Sequence, residues 1–224
     1  MKTAERIYLT LKQEIQNHEL KPGASISIVE IAKRLHTSPT PVREALSRLE
    51  QEGLIISKNG KKVVFVLTVK EVNQIFDIKK ALESSIASLA VERGKDAQFK
   101  ELKKVISNME AFLEKIREES PETTTVLNSW LTLDREFHDL LYRMADNQKA
   151  KEMVALLNLQ WHRFRLALLS LPGMLKKSVE EHIGIGKAIV SQDPQQCVHL
   201  MSMHLEQVRK SLINVISLFS PISN

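Results

Sequence analysis

Asp134 and His138 lie four residues apart, so on a helix they project from the same face and can meet at one point. His182 and His204 fall in two later stretches of helical periodicity. A carboxylate and three imidazoles suit Zn²⁺, Ni²⁺ or Mn²⁺, and leave coordination positions open for water or a ligand. The chain has seven histidines, and Asp/His pairs on helices are commonly solvated or structural, so spacing alone leaves the metal open. An ion there could bind a regulatory ligand, serve structure only, or activate water as a hydrolase does. Against the hydrolase, the helical part distinguishes no nucleophile or general base. Arg163 and Arg165 follow Trp161 and either could face a pocket and hold an anion; solvent exposure is the plainer alternative. His199 is five residues from His204, about 140° around a helix, so the two do not share an ion. Cys197, Trp130 and Trp161 read as core residues.

A second group of residues offers different chemistry. Ser38, Thr40 and Arg43 open a helical segment, and Arg43 sits about one turn in, where a guanidinium can donate two hydrogen bonds to guanine. Arg48 and the pair Lys33-Arg34 could reach phosphates. Lys58, Lys61 and Lys62 surround Gly60 at a predicted hairpin tip, which could lie on a nucleic-acid backbone or in a minor groove. The alternative is a three-helix domain with a solvated basic face.

The elements that hold the second group read helix, helix, helix, hairpin. Ala4, Ile7, Tyr8, Leu11 and Ile15 recur at helical spacing until Leu20-Lys21-Pro22-Gly23 breaks the run. Ser27 and Glu30 form a capping box ahead of Ile28, Ile31, Ala32 and Leu35. After a tight turn at His36-Thr37, Ser38 can cap a third helix with Pro39 at its first position, where the missing N–H costs nothing. Val42, Ala45, Leu46 and Leu49 face inward, and Gly53 ends the helix. Leu54–Ser57 and Val63–Val66 flank Asn59-Gly60, a strong hairpin signal. Two short helices joined by a tight turn, followed by a hairpin, predict a winged helix-turn-helix.

From Thr68 onward no strand pattern recurs, and Thr68 with Glu71 forms another capping box, which places the domain boundary there. Six helices are predicted, over about 69–93, 96–118, 122–145, 148–169, 173–191 and 194–219. Their breaks are Gly94, Ser120-Pro121, Asp146-Asn147, Leu171-Pro172-Gly173 and Asp193-Pro194. The fold class is mainly α: a winged helix-turn-helix over 1–67 and an all-helical bundle over 68–224.

Charge divides along the same boundary. Residues 1–70 carry 12 Lys/Arg against 7 Asp/Glu, whereas residues 71–224 carry 20 of each, so the net +5 of the chain lies wholly in the first third. A local basic excess attracts polyanions, although five charges can also arise by chance. No apolar run approaches the roughly 18 residues of a membrane span, and Met1–Leu20 does not read as a signal peptide. The single cysteine precludes an internal disulfide, in keeping with a cytoplasmic location.

Three stretches carry a resemblance: Leu20-Lys21-Pro22-Gly23, Ser38-Pro39-Thr40-Pro41-Val42-Arg43-Glu44-Ala45-Leu46 and Leu49-Glu50-Gln51-Glu52-Gly53-Leu54. Together they resemble the GntR family of bacterial regulators over about residues 4–66. The resemblance implies DNA contacts from Ser38, Thr40, Arg43 and Gly60. The chain departs from the family at Pro39, where Arg is usual, and at Val29, near which a charged residue is common; both imply an altered operator or weaker binding. Leu133-Asp134-Arg135-Glu136-Phe137-His138, Asn147, Glu181-His182 and His204-Leu205 are similar to the metal-ligand motifs of the FCD domain, the helical effector domain of the FadR subgroup, over about 71–218. This implies Asp134, His138, His182 and His204 as ligands. A further departure is Lys79, where Arg is usual; Lys keeps the charge but loses the bidentate fork for a carboxylate. The function implied is a ligand-responsive repressor that binds a palindromic double-stranded operator as a homodimer. A small organic acid would be held by the metal with Lys79, Arg163 or Arg165.

Overall fold

The structure, a computed structural model, describes residues 3–118 and 124–219, without the side chains of Arg117, Glu118, Arg163, Leu218 and Phe219. The predicted break at Ser120-Pro121 lies outside the described residues. Two compact units form: Met1–Thr68 with Ala155–Arg163, and Val69–Val154 with Phe164–Asn224.

In the first unit the elements run α1 (Thr3–Gln16), β1 (Ser25–Ile26), α2 (Ile28–Arg34), α3 (Pro39–Gln51), β2 (Ile55–Lys58) and β3 (Lys61–Val64). The 3.6-residue period of α1 buries Ile7, Tyr8, Leu11 and Ile15 on one stripe, and α3 answers with Val42, Ala45, Leu46 and Leu49. Ile31 and Ala32 of α2 and Leu54, Ile55 and Val64 of the sheet close the same core, against which Leu159 also packs. Burying Val42, Leu49 and Ile55 completely is worth roughly 1.5–3 kcal/mol each. The hairpin pairs Lys58 with Lys61, leaving a two-residue turn. Asn59 and Gly60 both adopt positive φ, +50° and +74°, as a type I′ turn requires. That need explains the Asn-Gly dipeptide.

One strand was not legible in the sequence. Ser25 and Ile26 pair antiparallel with Val63 and Lys62, so the sheet has the order β1-β3-β2. Two residues are too few to display a two-residue alternation, and the strand exists only because β3 offers its free edge.

The second unit holds α4 (Val69–Arg93), α5 (Asp96–Glu118), α6 (Thr124–Ala145), α8 (Arg165–Leu169), α9 (Met174–Val190), α10 (Pro194–Phe219) and the start of α7 (Gln148–Trp161). The expected single helix over 148–169 is corrected to α7, a 3₁₀ turn at His162–Phe164 and α8. Neither Gly nor Pro marks this break in the sequence. It falls where the chain passes from the first unit to the second, and the tighter turn re-aims the side chains that follow.

Within the second unit α4 packs on α10 and α6, α5 on α9 and α6, and α9 on α10. Each buried stripe is interrupted by polar groups. On α4, Lys79 and Glu83 sit among Val72, Ile75, Phe76, Ile86, Ala87 and Ala90. On α6, Asp134 lies between Trp130 and Phe137, and on α9, His182 lies between Val179 and Ile183. His204 of α10 is buried with Met201 and Leu205. Polar groups at core positions cost free energy unless they meet partners, so these four helices must present them to each other.

The fully buried Leu49 joins α3 to α1. Leu49→Ala is expected to destabilise the first unit by about 2–5 kcal/mol, measured as a fall in the denaturation midpoint of the full chain. A loss under about 0.5 kcal/mol, the range of ordinary surface changes, would show that this core is not packed as described.

Candidate nucleic-acid interface and metal centre

The start of α3 is open to solvent. Ser38 takes the N-cap position with extended backbone (φ −77°, ψ 161°), and Pro39 occupies the first helical turn. The expected capping bond from Ser38 is absent, so its hydroxyl is left for other partners; Ser27 does cap α2, accepting from the Glu30 N–H at 3.3 Å. Ser38, Pro39, Thr40 and Arg43 are exposed. Arg43 makes no ion pair among the described residues, unlike three other cations proposed to meet DNA.

Arg48 donates to Glu5 Oε2 at 2.5 Å and lies 3.7 Å over the Tyr8 ring. Lys62 is bonded to Glu50 and to Ser57 Oγ. Arg34 is likewise bonded to Glu14 at 2.7 Å. Ion pairs so near the surface are weak and screened by salt, so they are breakable, yet each cation must leave a carboxylate to reach a phosphate. Lys58 and Lys61 are exposed at the hairpin, on either side of the Asn59-Gly60 turn. A Cβ added at Gly60 would meet nothing within 4 Å, which leaves the tip clear for close approach. Glu5, Tyr8 and Glu50, the groups that restrain Arg48 and Lys62, were not legible as site residues. Glu5 and Tyr8 lie some 40 positions from Arg48 in sequence.

In the second unit Asp134 Oδ1, His138 Nε2 and His182 Nε2 converge. Asp134 Oδ1 lies 3.1 Å from His182 Nε2 and 4.0 Å from His138 Nε2, and the two imidazole nitrogens are 3.2 Å apart. Donors held about 2.0–2.1 Å from one ion at angles near 90–110° are themselves roughly 2.9–3.4 Å apart. Two of the three separations fall in that range, and the third, between His138 Nε2 and Asp134 Oδ1, is longer at 4.0 Å.

The protonation pattern also fits a cation. His182 Nδ1 lies 2.7 Å from the Ser178 carbonyl, which can only accept, so Nδ1 carries the proton and Nε2 presents a lone pair. Asp134 Oδ1 is buried and has no hydrogen-bond partner. Two acceptors facing each other at 3.1 Å in a dry interior repel, and a divalent ion between them removes the conflict. The residues present therefore fit a metal.

His204 is not one of the three converging groups. Its ring lies 4.5 Å from that of His182, and its Nδ1 donates to Glu181 Oε2 at 2.7 Å, leaving Nε2 uncommitted. Arg165, one of the two arginines expected near a pocket, donates to Asp134 Oδ2 at 2.5 Å. Lys79 is buried and paired with buried Glu83. The side chain of Arg163 lies outside the described residues. Asn147 Oδ1 accepts from the Ala150 N–H at 3.1 Å, which caps α7. Trp130, Trp161 and Cys197 are core residues as expected, and burial followed by Asp193 pushes the Cys197 thiol up to about 12. Glu83 and Glu181, which touch the histidines from behind, were missed; a signal was available in Glu83, a carboxylate on an otherwise apolar stripe.

Burial opposes ionisation of Asp134, but the Arg165 guanidinium, with the neighbouring imidazoles, outweighs it and holds the carboxyl well below its ordinary range. Burial also raises Glu83, and Lys79 more than reverses this. His138 is pushed down to about 4, by burial above all, despite Asp134 and Glu83. Burial and then His182 lower His204. The site therefore offers ionised carboxylates and neutral imidazoles near neutral pH, the forms that ligate metals.

Comparison with known proteins agrees with both halves. The model of the FCD domain matches residues 74–207, and that of the bacterial regulatory proteins of the gntR family matches residues 3–65. The chain is 28% identical over 203 residues to the Nta operon transcriptional regulator of Aminobacter aminovorans, covering 89% of this chain and 90% of that one. It is 26% identical over 212 residues to the HTH-type transcriptional repressor RspR of Escherichia coli, covering 93% and 88%. The fold is similar to that of E. coli McbR/YncC, with a TM-score of 0.69 at 22% identity over 96% of this chain and 99% of the other.

The pKa directions predict a pH dependence for the metal-stripped chain. His138 and His204 hold protons more weakly when folded than when unfolded, so the unfolded state gains protons first as pH falls. Stability present above pH 6.5 should decline as pH drops toward 4, and Asp134 and Glu83 continue the loss at lower pH. The melting temperature should fall between pH 7 and 4.5, less steeply in His138→Gln. An unchanged melting temperature across that window would contradict a neutral, part-buried His138.

Proposed function

The chain belongs to the GntR family of bacterial regulatory proteins and carries an FCD effector domain, and on that premise we propose that it is a metal-assisted, organic-acid-responsive repressor binding a palindromic operator as a homodimer. The observation that carries the effector reading is the buried, unpartnered Asp134 Oδ1 facing the Nε2 lone pair of His182, with His138 Nε2 beside them.

Asp134, His138 and His182 hold the ion, and His204 joins them through its uncommitted Nε2. A divalent ion there supplies open positions for the carboxylate oxygen of a small acid. Arg165 contributes from its place on Asp134: its five N–H donors allow one edge to keep Oδ2 while another meets the ligand. Lys79 acts indirectly, since its ammonium is committed to Glu83. Zn²⁺, Ni²⁺ and Mn²⁺ all suit this mixed imidazole and carboxylate set.

Arg43, exposed on α3, reads a base in the major groove, while Ser38 and Thr40 position the helix start. Gly60 and Lys61 bring the wing to the backbone. Arg48 and Lys62 contribute less, because each must leave Glu5 or Glu50 to do so. A winged helix covers one half-site, and a palindrome is matched by two-fold pairing of chains. Effector binding changes operator affinity only as far as it prefers one arrangement of the reading heads; a tenfold change requires about 1.4 kcal/mol of preference.

Two outcomes are expected. Arg43→Ala should cost about 1–3 kcal/mol in operator binding and relax specificity at one position per half-site, whereas Lys61→Ala should weaken all sequences alike and lower the salt slope by about one. Unchanged affinity and preference in Arg43→Ala, measured by gel shift across operator variants, would mean that another element reads the bases.

For the effector half, elemental analysis after dialysis against Zn²⁺, Ni²⁺ and Mn²⁺ in turn should find near-stoichiometric metal in wild-type protein. His182→Ala with His204→Ala should lose the metal and the acid response yet keep basal operator binding. Light scattering should give twice the chain mass. A wild-type chain that retains none of the three metals would sink the metal-assisted reading, and a monomer with and without DNA would sink the dimer.

A further inference from the structure

We propose that Glu83 is a positioning residue for the metal centre: its free Oε2 accepts the Nδ1 proton of His138 and so turns the His138 Nε2 lone pair toward Asp134 and His182. The inference rests on the metal reading given above and assigns a role to a carboxylate outside the ligand set.

Three features of Glu83 lead there. It is 1% exposed on the inward stripe of α4, a place where a carboxylate is retained only with compensation. Lys79, one turn earlier on the same helix, is bonded to Oε1. Oε2 is buried with no hydrogen-bond partner and lies 3.6 Å from His138 Nδ1. That gap is just beyond a hydrogen bond, and rotation of the imidazole can close it.

The His138 ring thus stands between two unsatisfied carboxylate oxygens, Glu83 Oε2 behind Nδ1 and Asp134 Oδ1 beyond Nε2. A neutral imidazole has one proton to place. On Nε2 it would point at His182 Nε2, 3.2 Å away, and would block the ion. On Nδ1 it points at Glu83 and leaves Nε2 bare. The ionised Glu83, stabilised by Lys79, favours the second tautomer electrostatically. His182 and His204 are oriented on the same plan, with Nδ1 donating to the Ser178 carbonyl and to Glu181. His138 is the one of the three whose Nδ1 acceptor is a fully buried carboxylate held by its own cation. Acceptors of this kind fix ring orientation and raise ligand basicity.

The test uses the full chain loaded with Zn²⁺ and titrated with a chromophoric chelator. Glu83→Gln should bind zinc 10–100-fold more weakly, the usual loss when such a partner is removed. That variant takes the Glu83 charge away from the Lys79 ammonium, so Lys79→Met with Glu83→Gln, which removes both charges, is measured beside it and should show the same loss. Long-range ¹H–¹⁵N spectra of the imidazoles supply a readout that a merely structural role would not move. Wild-type His138 should carry its proton on Nδ1 and zinc on Nε2, and in the metal-free state the tautomer should shift toward Nε2–H in both variants. Wild-type protein that binds no zinc overturns the metal reading, and this role with it. Wild-type protein that binds zinc while both variants bind it within twofold overturns the role of Glu83 alone. Zinc on Nδ1 of His138 in the wild type overturns it without any variant.

Discussion

A carboxylate at the centre of an apolar helix stripe sets the terms for the rest of the second unit. Asp134 is 2% exposed, between Trp130 and Phe137, and an isolated charge there would cost many kcal/mol. It stays ionised because Arg165 occupies one oxygen; imidazoles face the other. Those partners come from three other segments: α8, α9 and the next turn of α6. The bundle must therefore bring α9 against α6 and stop the 148–169 segment from continuing as one helix, so that Arg165 reaches Asp134. The same need recurs with opposite sign on α4, where Lys79 is buried and Glu83 compensates it. Buried pairs of this kind are weak sources of stability. They persist here because they hold ligand atoms at fixed separations.

The first unit solves a different problem. Its core is apolar apart from the Tyr8 hydroxyl, which reaches Glu52 at its edge, and is built by α1 and α3 with Leu54, Ile55 and Val64. There the structure sorts cations by partner. Arg48, Lys62 and Arg34 each have a carboxylate within the unit, so these three cations are already engaged. Arg43 is unpaired among the described residues at the start of α3, and Lys58 and Lys61 are exposed on the wing. A surface that reads as uniformly basic along the chain is, once folded, a few exposed cations among paired ones. This sharpens which side chains are free to meet a nucleic acid.

Much of this was legible in the chain because it rests on local physics. The helical periods, the Asn59-Gly60 turn, the Ser27 cap, Pro39 at the start of α3 and the change of pattern at Thr68 involve residues within a few positions of each other, so type and spacing suffice. Asp134 with His138 is likewise local, one helix turn. The strand Ser25–Ile26 was not legible, because two residues have no periodicity and the strand depends on a partner some 37 positions later. The break at His162–Phe164 was hidden for a similar reason: no residue there opposes a helix, and the division between the two units decides it.

Sequence by itself determined the order of elements, the two kinds of chemistry and the residues that could perform them. Tertiary structure decided which of those residues meet. It brought His182 to Asp134 and His138 across 44 positions, left His204 beside rather than among the converging atoms, and took Arg165 from candidate surface residue to partner of Asp134. It also set Glu83 behind His138 and tied Arg48 to Glu5 and Tyr8. Local rules act over a helix turn or a hairpin, whereas hydrogen bonds and ion pairs act over about 3 Å of space, and only the packed fold converts distance along the chain into distance between atoms.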